Sequence, residues 1–265
     1  MYAVEYLKPK SLAEARDFLG THPEAQLLGG GMTLIPTLKQ RLARPSHLVD
    51  IAALPELSGI GIDGDALVIG AATRHDEIAS SKLVRETIAA LAGLADGIGD
   101  AQVRNMGTIG GSLANNDPAA DYPAALLALG GSVLTDRRAI AADDYFQGLF
   151  TTALDAGEII VRVRLPLPAR AAYKKFPHPA SGYCMSGVFV AETGGGVRVA
   201  VTGGGNGVFR WAEAEAALAK RMAVEALDGL ALDVERFSAD LHGSRDYRAH
   251  LARVMAARAV AQLAK

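Results

Sequence analysis

The stretch Arg104-Asn105-Met106-Gly107-Thr108-Ile109-Gly110-Gly111-Ser112-Leu113-Ala114-Asn115 constrains this chain more than any other. Glycines and hydroxyl residues alternate through it, and no charge follows Arg104. Glycine permits positive φ and close backbone approach. Hydroxyls and amides on such a turn suit a phosphate. A second uncharged turn, Leu28-Gly29-Gly30-Gly31-Met32-Thr33-Leu34, lies about 80 residues earlier. The pair reads as a clamp for a pyrophosphate, although a triple glycine alone reads more readily as a tight turn. Asn115, Asn116 and Asp117-Pro118 continue as a polar turn, then comes Asp121. A carboxylate there repels phosphate but accepts from a sugar or ribityl hydroxyl. The expected ligand is therefore long, with phosphates at the glycines and hydroxyls at Asp121.

Neither turn fits the commoner nucleotide motifs. A doubly wound dinucleotide fold wants Gly-x-Gly-x-x-Gly opening a long helix. Here the early glycines are contiguous and Pro36 follows closely. A Walker loop needs Lys-Ser/Thr after its glycines, and Met32-Thr33 stands there instead. The single cysteine, Cys184, excludes an internal disulfide and a cysteine-ligated cluster within this chain, and reads as a small buried hydrophobe. The six histidines are scattered, so no metal site is expected. A net charge of -2 without charge blocks gives no footprint for nucleic acid. No signal peptide or spanning segment is evident, so a cytoplasmic, reducing setting is expected.

Along the chain, residues 3–7 read as a strand and Ser11 as the cap of a helix, with Glu14 completing a capping box. Gln26–Leu28 and His47–Ile51 read as strands around a short helix at Leu34–Leu42. A hairpin spans Ser58–Gly70. His75 falls at a helix start or on the surface, and Leu83–Leu94 reads as one helix. Ala124–Leu129 is an apolar helix, Asp144–Phe146 a loop or short helix, and Glu158–Leu165 a strand ended by Pro166 and Pro168. Beyond Arg170, Ser186–Ala191 and Val197–Thr202 read as antiparallel strands. The turn Gly203–Gly207 serves either an anion or a hairpin, and helices follow at Trp211–Met222 and from Asp246 onward. The expected class is α+β: a two-part α/β domain over 1–168, divided near 56/57, then an α+β domain over 169–265.

These motifs carry a family resemblance. Leu28–Pro36 with His47–Ile51, Arg104–Asp121, and Leu241–Arg248 resemble the FAD-binding medium subunits of the xanthine dehydrogenase and carbon monoxide dehydrogenase family of molybdenum hydroxylases. The resemblance spans essentially the whole chain. It implies a flavin-binding domain of the vanillyl-alcohol-oxidase type and FAD as cofactor. It places the pyrophosphate on the backbones of Gly29, Gly30, Gly31, Met32 and Thr33, flanked by Leu28 and Leu34 of the cofactor site, and on those of Thr108, Ile109, Gly110, Gly111 and Ser112. Asn115 joins that site, Ile109 lies near the isoalloxazine, and Ile159 or Ile160 packs near the cofactor. Asp121 bonds the ribityl region and Lys175 approaches the flavin edge. The chain departs from the pattern at Gly182-Tyr183-Cys184, where many relatives carry Asp-Tyr/Phe-Ala, and at Met32, where many have a small or polar residue.

The resemblance also implies a division of labour. Molybdopterin-type cofactor and two 2Fe–2S clusters sit on a large and a small partner subunit, in a dimer of heterotrimers. Hydroxylation occurs on the large partner. Electrons pass through the clusters to FAD on this chain and on to NAD, a quinone or another external acceptor, with the assembly cytoplasmic or peripheral to the inner membrane face. Two other readings stand beside this one: a free-standing flavin oxidase, and a non-catalytic α/β module whose glycine loops are only turns.

Overall fold

The structure is a computed structural model that describes residues 1–264. It opens with β1 (Glu5–Leu7), α1 (Leu12–Thr21), β2 (Gln26–Leu28), α2 (Leu34–Lys39) and β3 (His47–Asp50). Ser11 caps α1 by accepting from the Glu14 amide. The three strands pair in parallel, in the order β1-β3-β2. Ala15 and Leu19 of α1 close one face against Val49, Ile51 and the distant Ile159. The glycine run leaves the end of β2 directly, which places it at the carboxyl edge of a parallel sheet, where such sheets bind ligands.

The middle of the chain contains β4 (Ile60–Asp63), β5 (Ala66–Gly70), α3 (His75–Ser80), α4 (Lys82–Thr87), α5 (Ala89–Asp96), α6 (Ala101–Arg104), α7 (Ile109–Asn115), α8 (Tyr122–Ala128), β6 (Ser132–Thr135), β7 (Ala139–Ala141), α9 (Ala142–Tyr145), the small hairpin β8 (Phe146–Gly148) and β9 (Thr151–Thr152), and β10 (Ile160–Pro166). Its antiparallel sheet runs β4-β5-β10-β6-β7. The Gly64-Asp65 turn lets β4 and β5 form the expected hairpin. The helices bury Ile78, Val84, Leu91, Leu94, Leu113 and Leu126 against the sheet's Leu67, Ile69, Val163 and Leu165.

Two local readings are corrected here. The segment expected as one helix over 83–94 is two helices, broken at Ile88, whose φ of -137° is outside the helical region. Ile88 is buried, so the bend is fixed by packing and not by a breaker residue. The motif at Thr108–Ser112 is a helix start and not a turn. Thr108 is extended and its Oγ1 accepts from the Gly111 amide at 3.1 Å.

The final sheet is β11 (Arg170–Pro177), β12 (Cys184–Thr193), β13 (Gly196–Thr202) and β14 (Phe209–Arg210), all antiparallel and paired in chain order. Helices α10 (Ala212–Lys220) and α11 (Arg245–Leu263) cover one face. Alternation along the strands sends Ala172, Val188, Val190, Val199 and Val201 toward the helices. Phe189, Ala191 and Ala200 point the other way, into the core of the middle unit. Both faces of this sheet are therefore covered, which explains the nearly continuous burial of β12. The turn after β13 is a packing device: Gly203 N–H donates to Pro118 O at 2.8 Å, and Ser238 donates to Gly204 O. Of its two sequence readings, the structure supports the turn between strands.

Candidate flavin site

A cleft with about 880 Å³ of free space, including its open mouth, lies between the two glycine motifs and the end of the third sheet. Gly30, Gly31, Met32 and Thr33 form one wall, and Thr108, Gly111, Ser112 and Asn115 the facing one. Asp121 lies along the same cleft, and Ser181, Gly182 and Tyr183 border it from the β11–β12 loop. The two motifs touch. A Cβ on Gly30 would overlap the Met106 carbonyl, so only glycine lets these backbones meet. At Gly29 a Cβ would stand 3.2 Å from Thr108 Oγ1.

The backbone donors divide unequally. Among the described residues, none of the N–H groups of Gly29, Gly30, Gly31, Met32 and Thr33 donates to an acceptor within the chain. Gly31 takes φ +72°, which curves the run. Consecutive free amides on such a curve make an anion-binding concavity. In the second motif the amides are already engaged. Ile109 N–H donates to Thr73 O at 3.1 Å, Gly110 N–H to Ala71 O at 2.9 Å, and Gly111 N–H to Thr108 Oγ1. These bonds dock α7 onto the strand edge after β5. What this motif turns to the cleft is hydroxyl: Thr108 retains a proton to donate, and Ser112 lines the wall.

The other sequence-selected residues surround this arrangement at different depths. Ile109 and Gly110 are buried under the second wall. A Cβ on Gly110 would stand 2.6 Å from Ala71 Cβ, so this glycine serves packing. Leu28 and Leu34 flank the amide run and are half-buried. Ile159 and Ile160 are buried, Ile159 in the core of the first unit and Ile160 in that of the middle one. Lys175 reaches across from β11 and its Nζ lies 3.0 Å from Asp121 Oδ1.

Asp121 is the electrostatic centre of the far end. It is 5% exposed, and two side chains meet it. Tyr173 Oη donates to Oδ1 at 2.6 Å. Lys175 Nζ also donates to Oδ2 at 3.2 Å and to Gly182 O at 3.2 Å. Burial raises the Asp121 carboxyl above its ordinary value, while Lys175 and Tyr173 pull it back. Cys184 is buried as expected, with its sulfur 3.7 Å from Tyr173 Oη, and burial pushes its thiol up. An inert thiol at the end of this bonded chain is no redox centre. Among the described residues no group of side chains could hold a metal ion.

Sequence reasoning missed Tyr173 and missed the burial of His75. Tyr173 lies two residues before Lys175 on a strand, so alternation puts both on one face once the strand is known. His75 does begin α3, but it is 5% exposed and lines the cleft, which excludes the surface reading. Its burial comes from Gly107 and Tyr122, which are distant in sequence.

This arrangement has known counterparts. Residues 2–168 match the family model described as the FAD binding domain in molybdopterin dehydrogenase. The chain belongs to the FAD-binding medium-subunit family of the molybdenum hydroxylases. It is 35% identical to the carbon monoxide dehydrogenase medium chain of Hydrogenophaga pseudoflava, covering 97% of this chain and 95% of that one. It is 33% identical to the nicotine 6-hydroxylase medium subunit of Paenarthrobacter nicotinovorans, covering 98% and 97%. The solved structure of reconstituted CO dehydrogenase from Oligotropha carboxidovorans superposes with a TM-score of 0.90 at 34% identity, covering 98% and 97%. The expected fold, with its flavin-binding part followed by an antiparallel-sheet part, is borne out. The chain is accordingly an oxidoreductase subunit with a FAD-binding fold.

The residues present fit that cofactor. Five unengaged amides suit the diphosphate, the hydroxyls of Thr108 and Ser112 face them, and Asp121 stands where only neutral hydroxyls would be welcome. Among the described residues no helix is long and apolar enough to cross a membrane.

Proposed function

We propose that the cleft holds FAD with its diphosphate on the amides of Gly29–Thr33, faced by the hydroxyls of Thr108 and Ser112. The observation that carries this is the run of unengaged amides at the end of β2. Gly111 and Asn115 complete the facing wall, while Ile109 and Gly110 act from beneath by holding α7 in place. Ile160 supports the sheet behind the site. Asp121 accepts from hydroxyls of the ribityl region, and Lys175 favours its ionised form against the effect of burial. FAD, when bound, supplies a two-electron store that can be filled one electron at a time.

The same reading assigns partners. The medium chains and subunits this sequence resembles are named as parts of larger enzymes. We infer a large molybdopterin subunit and a small iron–sulfur subunit as partners, in a dimer of heterotrimers, with hydroxylation on the large one and an external acceptor such as NAD or a quinone. The single cysteine supports this, because the chain cannot itself hold a cysteine-ligated cluster. The division proposed at 168/169 follows the Pro166–Pro168 segment between β10 and β11. The test is Gly30→Ala in the intact chain. Loss of bound FAD with the third sheet still folded supports the placement, and unchanged FAD content refutes it.

A further inference from the structure

The cleft wall carries two carboxylates, Asp117 and Asp121, and among the described residues no lysine or arginine lines it. His75 is the one basic side chain there, and the mechanism above gives it no part. Its ring centroid lies 5.3 Å from that of Tyr122, and its Nδ1 is buried with no hydrogen-bond partner. A Cβ on Gly107 would stand 2.5 Å from Nε2, so glycine at 107 is what admits the ring. Gly107 also abuts Gly30. His75 lines the same cleft as Gly30, Gly31, Met32 and Thr33, and of its two ring nitrogens only Nδ1 is buried without a partner.

This setting selects one protonation state. A charged imidazole carries N–H on both nitrogens. Its Nδ1–H would be an orphaned buried donor, which folded proteins avoid more strictly than an under-used acceptor. The surrounding charges point the same way. Arg104 of α6 faces the ring, and burial with this neighbour lowers the imidazole to about 4. Asp96 of α5 pairs with Arg104 at 3.9 Å, while Lys82 and Glu86 of α4 pair with each other at the surface. Arg85 of α4 donates to Ala79 O. From α8, Tyr122 presents an uncharged ring whose hydroxyl is itself unpartnered. Among the described residues no carboxylate pairs with His75. The neutral ring then leaves Nδ1 bare inside and carries its proton on Nε2.

We propose that His75 is a neutral hydrogen-bond donor, through Nε2–H, to a diphosphate oxygen of FAD beside the Gly29–Thr33 amides. This rests on the FAD reading above. It deepens that reading by assigning a side-chain donor, and by making diphosphate recognition independent of any cation on the cleft wall. Binding then takes up no proton at His75.

The test uses the full chain in whatever assembly it purifies in. FAD per chain and the FAD dissociation constant are measured for wild type, His75→Gln and His75→Leu between about pH 5.5 and about pH 8, around the ordinary histidine range. Glutamine keeps a neutral N–H donor and should hold FAD within about threefold of wild type. Leucine should weaken it about tenfold or more, the loss of one hydrogen bond to a charged group. Wild-type affinity should show no step attributable to His75. In the FAD-loaded wild type, nitrogen-15 spectra should report the Nε2–H tautomer, which decides the matter if the leucine variant fails to fold. The proposal is overturned if the leucine variant folds and binds FAD as wild type does, or if the spectra show the Nδ1–H tautomer. It is also overturned if wild-type affinity falls as pH rises and His75→Gln abolishes that slope. A wild-type chain that folds and holds no FAD overturns the underlying reading and this inference with it.

Discussion

Lys175 and Asp121 form a buried ion pair, Nζ to Oδ1 3.0 Å, that joins the third sheet to the start of α8. Their side chains are 11% and 6% exposed, so neither charge is left to water. Removing one partner of such a pair strands the other, which costs about 3–5 kcal/mol. Lys175→Met should destabilise the chain by an amount of that order in chemical denaturation. The pH dependence follows from the sign of the Asp121 shift. Its carboxyl is held above the unfolded value, so the folded state favours the protonated form. That contribution is present at acid pH and is lost as pH rises through the folded value. The variant lacks the opposing cation, so its deficit relative to wild type should shrink on acidification.

Tyr173 positions the same carboxylate from the other side. Tyr173→Phe removes the 2.6 Å bond to Oδ1 and leaves Lys175 in place. The lost bond to a charged acceptor is worth about 1.5–3 kcal/mol. FAD content should fall, and fall further at acid pH, where Asp121 is protonated more readily. Equal FAD content in wild type and variant across the pH range would remove Tyr173 from the site.

Two glycines should fail for different reasons. In Gly30→Ala the new methyl overlaps the Met106 carbonyl and pushes the two cleft walls apart. In Gly110→Val the side chain strikes Ala71, with a Cβ only 2.7 Å from its carbonyl oxygen, and lifts α7 off the strand edge. Both should lose FAD. Only Gly110→Val should also lower the melting temperature strongly, because overpacking a core costs about 1–3 kcal/mol or more. Thermal melts beside flavin extraction separate the two.

Arg138 and Glu158 supply a prediction away from the cleft. Arg138 donates Nε to Oε1 and Nη2 to Oε2, both at 3.0 Å, and Thr135 donates to Oε1 at 2.7 Å. These partners, Arg138 first, hold the Glu158 carboxyl down at about 2. A depressed carboxyl stabilises the fold above its unfolded value of 4.5, and this stability is lost as pH falls toward 2. Arg138→Gln should therefore cost about 1–3 kcal/mol at neutral pH. The gap from wild type should narrow as the solution is acidified from about 5 to about 2, which acid-dependent denaturation curves would show.

Legibility in the sequence followed the range of the interactions involved. Strands β2 and β3, the β4–β5 hairpin and the Ser11 cap depend on neighbours in sequence, and all were readable. The break at Ile88 was not, because a buried isoleucine breaks a helix only when packing demands it. The glycine motif at 108–112 looked like a turn because glycine disfavours helix. Its helical start depends on the carbonyls of Ala71 and Thr73, some 35 residues earlier, accepting from α7. The same bonds moved the free amides to the first motif. Asp121 was readable from the chemistry of its turn and Lys175 from family resemblance, while their meeting with Tyr173 required the third sheet. His75 needed tertiary structure altogether, since Gly107 and Tyr122 bury it.

The central claim is that this chain holds FAD for electrons that arrive from partner subunits. Native purification with an absorbance spectrum and subunit analysis tests it most directly. Flavin absorption with added iron–sulfur bands is expected, with a larger and a smaller chain that co-purify in fixed ratio. A yellow single chain that oxidises its own substrate would contradict it, as would a colourless chain whose spectrum does not change when FAD is added.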